Sequence, residues 1–178
     1  MGFNQNYDDL PMNWVGDWAG RRAALTPNRT ALYDSFTRKT YTFYEMNERA
    51  CRVGTYLSDV LGLGKGDVIA LICRNRIEPI DIYLACGKLG IIVAPLSQRL
   101  KKPELDDLLA RLQPSVLVLE HQYAELVTTL SLPATVLSVI DIDDDRNFFE
   151  NVILKTDARE VNIPLAMNDR CLYVHTGG

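Results

Sequence analysis

Residues 62–96 read GLGKGDVIALICRNRIEPIDIYLACGKLGIIVAPL, and this stretch decides the fold. DVIALIC (67–73) and IIVAPL (91–96) are short, continuous apolar runs rich in branched side chains. Runs of that kind suit strands covered on both faces, as in parallel sheets. Between them, 75–90 has the length and pattern of a helix. Asn75 can cap it, Pro79 lies near its first turn and Gly90 can end it. Its apolar residues run nearly all round, so it is expected to be buried. Strand, helix and strand in this order make a βαβ unit.

The same alternation extends outward. Upstream, TALYDSFTRKTYTF (30–43) reads as a β-hairpin whose two β-rich runs flank a polar link. Thr42 opens a helix, and Glu45 three residues on completes a capping box. Phe43, Met46, Ala50, Val53, Leu57 and Val60 then form one apolar stripe, which ends where Gly62 and Gly64 can adopt positive φ. Downstream, Pro103 starts a helix with an inner stripe of Leu105, Leu108, Leu109 and Leu112, and Pro114 ends it. Strand 115–120, helix 122–130 and strand 134–141 come next. The acidic stretch 143–162 reads as loop with one helical turn, and RCLYVH (170–175) as a last strand. The fold class is α/β: a mostly parallel sheet with helices on both faces, plus an N-terminal β-hairpin.

The 178 residues suffice for one domain with a real core. Hydrophobic content of 47% with 24% charged residues is that of a soluble globular protein. A formal net charge of −4 argues against a nucleic-acid partner, and the densest basic run, RLKK at 99–102, reads as a solvated turn. Cys51, Cys73, Cys86 and Cys171 each sit in an apolar run, so buried reduced thiols are expected. The two histidines, His121 and His175, and the acidic pairs Asp106–Asp107 and Asp143–Asp145 show no convergent partners, and no metal site is expected. His175 reads as a strand-end side chain near a pocket edge. The N-terminus has no signal-peptide pattern, no stretch approaches the roughly 20 apolar residues of a membrane span, and the cytoplasm is the expected compartment.

Two glycine-rich stretches compete for a phosphate role. GLGKGD (62–67) follows a helix and precedes a strand, the reverse of what an anion-binding helix N-terminus needs. It reads as a turn. Thr176-Gly177-Gly178 leaves the carboxyl end of a strand, the edge where open α/β sheets gather ligands. Glycines there admit a phosphate closely, and Thr176 adds a hydroxyl donor. Three residues alone do not decide between a phosphate loop and a strand end followed by a flexible terminus.

The order of motifs resembles the N-terminal part of the AMP-forming acyl-CoA synthetases, in the adenylate-forming enzyme superfamily. The similarity runs through RRAALTPNRTALYD, KTYTFYEMNERACRVGTYL and, most specifically, GLGKGDVIALICRNRIEPIDIYLACGKLGIIVAPLSQRLKKPEL. YVHTGG resembles the start of the family's signature loop, in the form familiar from long-chain fatty acid ligases. Ser97-Gln98 stands where the family usually has Asn, and His175 where it often has Tyr, Phe or Thr. The resemblance implies ATP-dependent activation of a carboxylic acid, of the fatty acid type, to an acyl-adenylate and then a CoA thioester. ATP, Mg2+ and CoA are the implied cofactors of the full-length enzyme. It also implies that 1–178 forms one N-terminal subdomain, opened by an extended segment over 1–17, and that the rest of the site lies beyond Gly178. The implied cofactor-binding residues here are Thr176, Gly177 and Gly178, with no catalytic residue. On that expectation the chain alone is inactive, holds no cofactor and self-associates through apolar surface left uncovered.

A non-catalytic α/β interaction domain related to AMP-binding enzymes is the alternative. A dinucleotide-binding fold is disfavoured, because RNRIEP after the first core strand has no glycine.

Overall fold

The computed structural model describes residues 15–144 and 148–175. Helix α1 (Trp18–Leu25) leads into the hairpin of β1 (Thr30–Asp34) and β2 (Lys39–Thr42), and then into α2 (Phe43–Thr55). The capping box at the start of α2 forms as expected: Thr42 Oγ1 accepts from Glu45 N, and Glu45 Oε2 accepts from Thr42 N at 2.7 Å. After Thr55 the helix widens into a π turn over Tyr56–Val60. The wider turn breaks the 3.6-residue spacing of the stripe, so Val60 leaves the buried face and is exposed.

The core sheet has four parallel strands: β3 (Val68–Ile72), β4 (Ile92–Pro95), β5 (Val116–Leu119) and β6 (Ser138–Asp141). Their order is β4-β3-β5-β6. Helices α3 (Ile77–Leu89), α4 (Lys102–Leu112) and α5 (Ala124–Thr129) make the connections. Alternate residues of β3 and β5 face opposite layers. Ile69, Leu71, Val116 and Val118 join α2 and α3 in one core. Ala70, Ile72, Leu117 and Leu119 join α4 and α5 in the other. A strand with a core on each face has no polar side, hence the continuous apolar runs.

Several expectations shift in detail. The turn after α2 puts Gly62 and Gly66 at positive φ, at 69° and 92°, whereas Gly64 has no such need. Gly64 N donates to Asp67 Oδ2 and Gly66 N to Gly90 O, so this loop consumes its own donors. Helix α3 is capped by Arg76, without a side-chain bond, rather than by Asn75. The strand expected over 134–141 begins only at Ser138, because 133–136 closes a turn. The acidic stretch after β6 contributes helix α6 (Phe148–Asn151) and a 3-10 turn (Ile153–Lys155). They drop Phe149 and Ile153 into the core, and Val161 joins them there. Cys51 and Cys86 are buried and Cys73 half-buried, while Cys171 is exposed.

The last strand reduces to one parallel bridge, Val93 to Leu172, on the open side of β4. Val93 N donates to Cys171 O at 3.0 Å, and Tyr173 N donates to Val93 O at 2.9 Å. The next bond of the ladder would need an N–H on residue 95, which is Pro95, so pairing stops.

Candidate functional site

The connection from β3 to β4 winds to one side and that from β4 to β5 returns to the other. This makes the carboxyl ends of β3 and β5 a topological switch point, the crevice where open α/β sheets hold ligands. Thr176, Gly177 and Gly178 lie outside the described residues. Their root does not. His175 stands at the same edge, beside the exit of β4, where its Nε2 accepts from Ser97 N at 3.2 Å. The next residue, Gln98, ties three strand ends together. Its Nε2 donates to Cys73 O after β3 at 3.2 Å, and its Oε1 accepts from Tyr123 OH after β5 at 2.9 Å. Ser97-Gln98, the family departure, is thus a clamp across the edge. Only the resemblance drew notice to it in sequence.

Below the clamp lies a carboxylate that sequence reading missed. Glu120 ends the β5 run and is almost wholly buried. It accepts from Arg74 N, from Arg74 Nε at 3.0 Å and from Gln122 Nε2 at 2.7 Å. Arg76 forks onto Glu78 with two 3.0 Å bonds and reaches Asp143 Oδ1 at 2.5 Å. Burial lowers the Arg76 pKa, and these carboxylates more than reverse that. A cleft of about 770 Å³ opens between this cluster and the β-hairpin, with Lys39, Tyr41, Arg74 and Gln98 on its walls. The signal available beforehand was a glutamate closing an otherwise apolar strand.

The chemistry of this edge is positional. Burial pushes the Cys73 thiol up to about 12, so it is no nucleophile at neutral pH. Asp106 and Asp107 pair with Lys102 and Arg111 on α4. Among the described residues no three His, Cys, Asp or Glu side chains converge as metal ligands. No helix among them is long and apolar enough to cross a membrane. An apolar groove of about 290 Å³, lined by Trp18, Tyr83, Ile91, Leu165 and Met167, opens at the opposite, amino end of β4.

A model of the AMP-binding enzyme family matches residues 20–178. A feruloyl-CoA synthase from an Amycolatopsis species is 30% identical over 167 residues, covering 92% of this chain and 31% of the relative. A long-chain-fatty-acid–CoA ligase, FadD13, from Mycobacterium tuberculosis is 28% identical over 136 residues, 74% of this chain and 27% of the relative. The crystal structure of the N-terminal domain of FACL13 from the same organism superposes with a TM-score of 0.79 at 26% identity, covering 89% of this chain and 40% of that one. The chain spans about a third of the length of the curated relatives it matches. The family match runs through the βαβ core and the clamped strand ends to the Thr-Gly-Gly that follows His175, and on that extent of agreement the chain belongs to the family of AMP-binding enzymes.

Proposed function

We propose that residues 1–178 form the N-terminal subdomain of an AMP-forming acyl-CoA synthetase. The similarity along 92% of the chain to a relative named as a CoA synthase carries this reading. In the proposed reaction, a substrate carboxylate attacks the α-phosphate of ATP and expels pyrophosphate. The CoA thiol then attacks the acyl-adenylate carbonyl and expels AMP. This chain's share is positional. The N–H groups of Gly177 and Gly178 and the Thr176 hydroxyl donate to phosphate oxygens, on a loop root held by the His175–Ser97 bond. ATP and CoA are the cosubstrates. Magnesium is the proposed metal of the full-length enzyme. A fatty acid is the proposed substrate class and the cytoplasm the proposed compartment.

Grafting residues 20–178 in place of the matching third of the feruloyl-CoA synthase tests the reading. A chimera that retains ATP–pyrophosphate exchange supports it. A folded chimera without exchange overturns it. The chain alone is expected to give no exchange above background, since it spans only 31% of the relative's length. It is also expected to self-associate at micromolar concentration through Leu137, Val139 and Val174, exposed along the sheet edges. A clean monomer by sedimentation would refute that expectation.

A further inference from the structure

The open side of β4 carries a ladder with one rung missing. Val93, Pro95 and Ser97 alternate along the chain and turn the same backbone edge towards the segment after Arg170. Val93 fills its rung, donating to Cys171 O and accepting from Tyr173 N. Pro95 has no N–H to give. Leu96 N points the other way and donates to Leu71 O at 2.8 Å, so the alternation continues past the strand. Ser97 N–H comes next, and a side chain meets it: Nε2 of His175 accepts at 3.2 Å. The imidazole stands in for a backbone acceptor at the last position before Thr176-Gly177-Gly178.

An imidazole accepts there only while Nε2 carries no proton, which puts the ring proton on Nδ1. Protonation sets two N–H groups against each other and breaks the bond. A peptide carbonyl in the same place would not respond to pH. The other ionisable groups of this edge offer no such response. Arg99 and Lys101 in the same loop and Arg170 on the segment of His175 are of types that hold their protons well above neutrality. Arg170 Nη1 donates to Tyr173 OH at 3.1 Å. Arg74 and Glu120 pair with each other across the exits of β3 and β5. Burial pushes the Cys73 thiol up to about 12, and Tyr123 OH donates to Gln98. His121, after β5, sets Nδ1 against Asp141 Oδ2 at 2.6 Å and serves as a control.

We propose that His175 is a positioning residue for the phosphate loop, that only its neutral imidazole docks the loop root, and that acid thereby weakens ATP binding. The consequence for ATP rests on the ligase reading; the bond does not. Undocking lowers the apparent affinity for ATP in proportion to the docked fraction, and saturating ATP restores turnover. A histidine ordinarily changes charge between about pH 5 and 8. Below that titration the docked fraction falls by up to about tenfold per pH unit.

The bond and the turnover are read separately. In this chain, protection of the Ser97 amide from hydrogen exchange is expected to fall by on the order of tenfold between about pH 7.5 and 5.5. His175→Gln offers a non-titrating acceptor, and protection then stays within about twofold over that range. His175→Phe has no acceptor and lacks the protection at both pH values. In the chimera carrying residues 20–178, the KM for ATP rises by on the order of tenfold over the same range, with a smaller change in kcat. His175→Gln flattens that rise and His121→Gln keeps it, while the protonation of ATP itself is common to all. Ser97 protection that ignores pH, a His175→Gln protein that follows the wild-type profile, or equal KM profiles for the two would overturn the proposal. A chimera without turnover at any pH, beside the expected amide pattern, supports the docking and counts against the ligase reading.

Discussion

Helix α3 carries two buried ionisable side chains two turns apart, and the protein treats them differently. Lys88 has a fully buried side chain bonded to two other parts of the chain and, through one of them, linked to a third. Its Nζ donates to Asp17 Oδ1 at 2.6 Å and to Glu160 Oε2 at 3.0 Å. Asn162 Nδ2 donates to both carboxylates, and Asn47 Nδ2 donates to Glu160 Oε1. Asp81, on the same helix, is equally buried, yet only Oδ2 is used. Arg49 Nε and Nη2 both reach that oxygen, at 2.9 and 2.7 Å, and Oδ1 has no partner. A buried charge stabilises only when its hydrogen-bonding capacity is met. The lysine joins the lead-in of α1, helix α2 and segment 160–162 to α3, whereas the aspartate ties two helices already packed on each other.

Removing Lys88 should therefore be the costliest change. Lys88→Met keeps most of the apolar stem but leaves Asp17 and Glu160 facing each other uncompensated, at a cost of about 3 kcal/mol in urea unfolding at neutral pH. Burial lowers the lysine pKa, but bonds to Asp17 and Glu160 and the neighbouring charges raise it above its ordinary value. The folded state then holds the proton longer than the unfolded one. The stabilisation is constant below the unfolded value of 10.5 and is lost only as pH rises through the folded one. Asp17→Asn keeps a helix cap on α1 and removes one charge, for about 1.5 kcal/mol. Glu160→Gln should cost about 0.5 kcal/mol, because that carboxylate is more than half exposed. Equal losses for Asp17→Asn and Glu160→Gln would mean that Lys88 does not distinguish its partners by burial.

This network was not legible in the sequence, and the reason is physical. A lysine in the last turn of a helix already has a local explanation, the helix dipole. Its partners lie 71 and 72 residues away. The strands of 62–96 were legible because burial on both faces leaves only apolar letters, and the capping box because both its partners are local. Phe149, Ile153 and Val161 were hidden by charged neighbours. The reduction of the last strand to one bridge depended on Pro95 in a different strand. The clamp at Gln98 joins residues from three loops and left no periodic trace.

Asp81→Asn is the smallest expected effect and the sharpest test of the contrast. Burial pushes the Asp81 carboxyl up to about 7, and the bonds and charge of Arg49 reverse only part of that rise. The folded state keeps the proton up to about 7, while the unfolded chain releases it near 3.8. Between those values the folded state binds more protons, so stability contributed at this site falls as pH rises. The amide cannot ionise, and Arg49 keeps Glu150 at 3.5 Å and the Tyr41 ring at 5.4 Å. Asp81→Asn should therefore change stability by less than about 0.5 kcal/mol near pH 7. It should also flatten the decline in urea midpoint between about pH 4 and pH 7. A loss as large as that of Lys88→Met, or an unchanged pH slope, would show that Asp81 is ionised and satisfied in the folded protein and that the two ends of α3 are held in the same way.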